Sequence, residues 1–403
     1  LPYSPAPAAE YSRATKKSAA GLLARALLTR AYYSTGADAN TYFTRARDIA
    51  KEVIDNAATY QVALWPNYAD LWLPANNRRV GGGATGVAGE SMFTISNSAT
   101  NQVVNFDGNA NRMHLWYLTQ YSGRYTALQL DTAYGNDGQR RLQPTLALLD
   151  MFNENIDARY EGSFQEVWLA NRTSNGGITG TPTNYTWSAA DVATFRKAAS
   201  VQGTVLRYKV DTALYITKKS ISNESVRPYV VFDRDTMFTA SRTIAGVNAW
   251  PALIKFAYPN RATANAQPGF NDIFLIRFAE MYLIAAEAEF RLGNNGAAAN
   301  YVNAIRTRAA KKTPVNQTAA MQVTAADINI QFILDERARE FAGEQIRWFD
   351  LKRSLTPAQW VTRIKTLNPD ITAVQEIHRL RPIPQEELDA LTNGNEFGQN
   401  PGY

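Results

Sequence analysis

Residues 271–309, NDIFLIRFAEMYLIAAEAEFRLGNNGAAANYVNAIRTRA, decide the fold. Apolar side chains recur at helical spacing from Ile273 to Leu292, GNNG interrupts them, and Ala297 to Ala310 resumes the pattern. Tyr282, Ala286, Leu292, Gly293, Ala298, Val302 and Ile305 stand at spacings close to those of a tetratricopeptide unit. Small side chains at such positions let two antiparallel helices approach closely. A second pair opens the chain: Thr15 caps a helix through about Tyr33, Gly36 breaks it, and Tyr42 to Asn56 forms its partner. Ala19, Leu22, Leu23, Ala26 and Leu27 line the first of these helices, and Phe43, Ala46, Ile49, Ala50 and Val53 the second. Hairpins of this kind bury their apolar stripes on their neighbours. The pairs 15–56 and 273–310 are therefore expected to touch despite their separation in sequence. A long helix from about Ala325 to Lys352 follows them.

Between the pairs the helical signal fades. GGGATGVAGE leads into a strand-like SMFTIS, LQPTLALLDMF resumes a helical pattern within 141–170, and 171–190 reads as a long polar loop. Residues 204–260 alternate short strand-like runs, such as PYVVF, with turns. The expectation is a mainly α chain, a tetratricopeptide-like α-α superhelix with long irregular loops and little β. It divides into a helix pair at 13–56, a loop-rich ligand-binding region at 60–270, a second pair at 273–310 and a C-terminal helix and tail at 325–403. All belong to one domain spanning 1–403.

Composition removes several functions. There are 403 residues and no cysteine, so thiol catalysis, disulfides, iron–sulfur clusters and cysteine-rich zinc sites are excluded. Lysine and arginine exceed aspartate and glutamate, giving a net charge of +6, but the basic pairs are scattered and form no stripe. No nucleic-acid partner is expected. No apolar run is long enough to span a membrane. GGGATG at 81–86 satisfies G-x-G-x-x-G formally, yet no strand–helix context surrounds it, so it reads as a loop.

Catalytic constellations are equally thin. The two histidines, His114 and His378, both sit beside apolar residues and read as core or interface positions; no metal and no cofactor are expected. Asp233 and Asp235 in FDRD are the best pair for a hydrolase, but a strand there places both on one exposed face as solvated charges. Glu336, Arg337, Arg339, Glu340, Glu344, Arg347 and Asp350 read as an ion-pair ladder docking one helix. Non-catalytic binding is the expected activity.

Aromatic residues in polar loops stand out instead, among 8 Trp, 20 Tyr and 17 Phe. Flat rings stack on the C–H faces of sugars, while Asn and Arg side chains satisfy hydroxyls. Tyr185 and Trp187 in TNYTW, with Asn184 and Arg172 nearby, are the leading ligand contacts; Trp72 in DLWLPANN and Trp250 in GVNAWP follow.

Residues 271–309 resemble the SusD/RagB family. So do ILDERAREFAGEQIRWFDLKR (333–353), LRPIPQEEL (380–388), the closing QNPGY, RLQPTLALLDMFNENIDARYEGSFQEVW (141–168) and ATKKSAAGLLARALLTRAYY (14–33), in the family's order. Where the family commonly has Glu-Gly, this chain has Glu344–Gln345. The resemblance implies a cell-surface-exposed outer-membrane lipoprotein that captures oligosaccharides for a SusC-like TonB-dependent transporter. Relatives that partner peptide importers make peptide binding the alternative, with a glycoside hydrolase behind it. LPYSPAPAAEYS shows no signal peptide, and the resemblance implies a family N-terminal part, with a lipid-anchoring cysteine, that this chain lacks.

Overall fold

The computed structural model describes residues 1–3, 12–73, 76, 89–99, 111–175 and 180–403, with Asn395 described by its backbone alone. Among these the chain is mainly α. The helices of eight residues or more are α1 (Lys16–Tyr32), α2 (Gly36–Asp55), α3 (Phe278–Arg291), α4 (Asn295–Ala309), α5 (Ile330–Glu340), α6 (Arg347–Ser354) and α7 (Pro357–Leu367). Thr15 and Ser18 form a reciprocal capping box that starts α1, a device worth about 1 kcal/mol. Gly36 does not break the front pair; it is the first residue of α2, which starts six residues before Tyr42. Asp38 in its first turn favours that early start. The turn between α3 and α4 runs through Gly293 at φ +86°.

The two pairs pack on one another. Leu27, Leu28, Phe43, Ala46, Ala50 and Val53 share a core with Phe278, Met281, Ile284, Ala285 and Ala288, so α2 lies against α3. On the other side of α3, Ala279, Leu283 and Ala286 meet Ala298, Val302 and Ile305 of α4 and Ile333 of α5. The outer stripe of α1 stays exposed at Leu22 and Leu23. No helix among the described residues is long and apolar enough to cross a membrane.

Strands of three or more residues are β1 (Ser91–Ile95), β2 (Val167–Leu169), β3 (Thr212–Ile216), β4 (Val230–Phe232) and β5 (Ile273–Arg277). Residues 273–277, read above as helix, form β5 instead. IFLIR alternates large apolar and β-branched side chains, which suits a pleated surface, and it pairs antiparallel with β1, Ile95 opposite Ile273. Helix α3 begins only at Phe278. The neighbouring α1 must come close to β5: a Cβ on Gly21 would lie 2.9 Å from the Ile276 side chain. The β2–β3 pair is antiparallel and β3–β4 parallel; these strands support a core containing Trp168, Leu214, Trp187 and Trp250.

Three further expectations change. Within 141–170 only Leu146–Asp150 and Arg159–Ser163 are helical, separated by a turn in which the Asn153 carbonyl accepts the Ile156 and Asp157 amides. The helix expected over 325–352 is broken at 341–346, where Gly343 has φ +77° and Gln345 φ +64°. A left-handed non-glycine residue costs about 1–2 kcal/mol, so the turn holds Gln345 against its local preference. Asp233 is not on a strand face: it is buried and caps the short helix Arg234–Met237, its side chain accepting the Thr236 and Ile221 amides. The GGGATG stretch lies outside the described residues.

The break at 341–346 divides the expected docking ladder between two helices and the turn that joins them. Its charges enter a buried ionic network. Arg277 contacts Glu90, Glu340 (3.1 Å) and Glu344 (2.8 Å). Arg308 binds Glu90 at 2.9 Å and also reaches Glu340. Arg159 reaches Asp157 (2.7 Å), Glu336 (2.8 Å) and Glu340 (3.3 Å), and Lys255 reaches Glu344 at 3.0 Å. Burial alone raises a carboxyl's pKa, but Arg308, Arg277, Arg159 and Lys255 outweigh it and hold Glu340 well below the usual range. Glu336 is likewise lowered: burial opposes, and Arg159, Arg339 and Arg306 prevail.

Two outcomes follow from this network. Both carboxyls have a lower pKa folded than unfolded, so their stabilisation is fully present above the unfolded value of 4.5 and declines as pH falls below it. Urea midpoints measured from pH 7 to pH 3 should drop steeply only beneath about pH 4.5. Arg277→Met, which strips the cation from three carboxylates, should cost about 3–5 kcal/mol in the same assay.

Candidate functional site

The two leading tryptophans are inside the protein. Trp187 is 1% exposed; its Nε1 donates to the Pro228 carbonyl at 2.9 Å and its ring lies 4.6 Å from Tyr125. Trp250 is 2% exposed and donates to the Tyr117 carbonyl at 3.2 Å. Neither ring presents a free face to solvent, so the expectation that they stack on a ligand is replaced by a structural role. The polar neighbourhood of Trp187 in the sequence is the chain around it: Tyr185–Thr186 pairs with Val205–Leu206, and Trp187 follows the strand with its amide on the Thr204 carbonyl and its ring buried.

Arg172, Asn184 and Tyr185 do come together at the surface. The Arg172 guanidinium sits 5.5 Å from the Tyr185 ring centre, and its Nη1 donates to the Thr126 carbonyl at 2.9 Å. The Tyr185 hydroxyl donates to Asp191 at 2.8 Å. Asp191 in turn accepts the Ser188 amide in a capping box, which fixes the position of the ring. Asn184 is exposed and its side-chain oxygen accepts the Tyr208 amide at 3.1 Å. The patch is a half-exposed ring flanked by one cation and one amide, on a backbone pinned from below by Trp187.

Trp72 belongs elsewhere. It is 7% exposed, with the Lys255 ammonium 4.8 Å and the Arg277 guanidinium 5.4 Å from its ring centre. It forms part of the wall of a cavity of about 510 Å³ between α1, β5 and the turn at 341–346. Phe256, Phe274, Gln345 and Phe349 also face this space. Reading the sequence missed these residues, because α5 and α6 read as one continuous helix, which leaves no turn for a cavity to form beside.

The remaining polar candidates are committed. His114 is buried, and burial together with Arg261 lowers its pKa to about 4, so its ring is neutral at pH 7. The Nδ1 of His378 accepts the Gln375 amide. Among the described residues no three His, Asp or Glu side chains cluster in a way that would hold a metal.

Comparison with known proteins fits this architecture. The sequence profile of the SusD family matches residues 94–403. The chain belongs to the SusD family. SusD-like protein P2 of Formosa agariphila is 26% identical over 406 residues, which is 98% of this chain and 62% of that protein. The starch-binding protein SusD of Bacteroides thetaiotaomicron is 35% identical over 134 residues, 33% of this chain and 22% of that one. A solved laminarin-binding SusD-like protein superposes with a TM-score of 0.56 at 19% identity, covering 100% of this chain and 66% of its own. That likeness shows the fold. This SusD-family chain thus spans less than two thirds of the length of these relatives.

The two tyrosine-cluster aromatics separate cleanly by experiment. Trp187→Ala removes a filled core position and should lower stability by about 3–5 kcal/mol. Tyr185→Ala, half-exposed, should cost far less in the same guanidinium titration.

Proposed function

We propose that this chain captures oligosaccharides at the bacterial outer surface without cleaving them, and passes them to a SusC-like TonB-dependent transporter. In this reading a lipid anchor, outside the sequence considered, tethers the protein to the outer membrane. Family membership carries the proposal, reinforced by the segment that is 35% identical to a starch-binding protein. The surface chemistry suits it. The Arg172–Tyr185–Asn184 patch offers a half-exposed ring with a guanidinium over it and an exposed amide next in sequence, groups that suit contact with a sugar ring and its hydroxyls. The hydrolase alternative loses its leading pair, because Asp233 uses its carboxylate oxygens to cap a helix and to hold the Ile221 amide.

The test is a glycan array run beside a peptide library, followed by titration of the best ligand. Glycans should bind, no new reducing ends should form, and Tyr185→Ala should weaken binding about tenfold without altering the melting temperature. Peptide binding in place of glycan binding would overturn the proposal. Glycan cleavage that disappears in Asp235→Asn would overturn its non-catalytic part.

A further inference from the structure

We infer that the cavity beside Trp72 is a second ligand subsite, separate from the Arg172–Tyr185 patch, and that it takes one unit of a neutral glycan; the inference rests on the glycan-capture reading above. Its volume of about 510 Å³ lies in the range of small-ligand sites. The walls combine flat apolar rings with polar groups, the composition that an amphipathic sugar ring matches on both counts.

The charges around the cavity argue for neutrality. Arg25 is bound to Glu280 at 2.6 Å and Lys255 to Glu344 at 3.0 Å. Asp350 holds Arg337 at 2.7 Å and Arg353 at 3.1 Å. Each cation already faces a carboxylate, so an anionic or cationic ligand would have to break an existing pair to gain its own. Arg337, 1% exposed at its side chain, borders the cavity as a neutralised cation, held by Asp350 and Glu280 and lying 5.3 Å from the Phe341 ring centre.

Two features of the mouth point the same way. Phe349, on the first turn of α6, is 67% exposed at the cavity edge. Its ring is exposed, unlike the buried tryptophans, and supplies a stacking surface in a cavity that Trp72 and Phe256 also line. Gln345 also borders the cavity and is held at φ +64°. The turn that carries Glu344 to Arg277 and Lys255 is what sets Gln345 on this border.

The experiment is isothermal titration of the full 403-residue chain with maltohexaose, laminarihexaose and sialyllactose, in wild type, Phe349→Ala, Gln345→Gly and Tyr185→Ala. Two binding events are expected for a neutral hexasaccharide. Phe349→Ala should weaken one of them tenfold or more at unchanged melting temperature. Gln345→Gly should weaken the same event at least threefold while raising the melting temperature, a combination that a purely structural role does not give. Loss of the only observed event in Phe349→Ala would support the cavity and move the glycan contact away from Tyr185. Glycan binding that survives both Phe349→Ala and Gln345→Gly unchanged overturns the subsite and leaves glycan capture standing. Tighter binding of sialyllactose than of either hexasaccharide at this event overturns its neutrality. Absence of binding to all three glycans and to the wider array overturns both readings.

Discussion

Arg277 sits where strand β5 becomes helix α3, and its guanidinium is shared by carboxylates from the loop before β1, from α5 and from the turn after α5. That one buried cation ties segments far apart in sequence to a single point. A buried ion pair is rarely a large net source of stability, because desolvation offsets most of the attraction. Its effect is geometric. Glu344 satisfies Arg277 and Lys255 only if the chain turns inward after α5. The left-handed residues at 343 and 345 follow from that demand, as does the separation of α6 from α5.

The helix pairs were legible because their signal is local. Ala and Val at three- and four-residue spacing, with Phe43 and Ile305, gave α2 and α4 their packed faces, and Gly293 marked the turn. Errors gathered where a distant partner decided the outcome. Residues 273–277 are apolar enough for either helix or strand, and only β1, far upstream, makes them a strand. The charged run at 336–350 has helical spacing throughout; the break within it answers to Arg277 and Lys255, neither of which is nearby in sequence. Asp233 was misplaced for a smaller reason: a single capping turn at the end of β4 changed its direction.

Aromatic residues proved the hardest to assign. Trp187 and Tyr185 are two positions apart and both rings meet Tyr125, yet the strand ends at Thr186 and only Trp187 is covered completely, its Nε1 bound to the Pro228 carbonyl, while Tyr185 stays half-exposed. Composition of the surrounding loop, which is polar for both, carries no information about which is which. The exposed aromatic at the cavity, Phe349, lies in a stretch that looks like an ordinary amphipathic helix. Solvent exposure here depends on what the neighbouring segments leave uncovered, a tertiary property.

The anchors beneath the loops share a trait with a wider consequence. Trp187 donates to the carbonyl of Pro228, Trp250 to that of Tyr117, Tyr68 to that of Glu340 and Tyr117 to that of Gly343. Each grips main chain, which every amino acid supplies alike. Where the accepting residue has no second task, as Glu340 has in the ionic network and Gly343 at φ +77°, its side chain can change without loosening the grip, provided the backbone path is kept. A surface built this way can exchange its recognition chemistry residue by residue while its framework stays in register, so divergent sequences and a common scaffold are compatible from the outset.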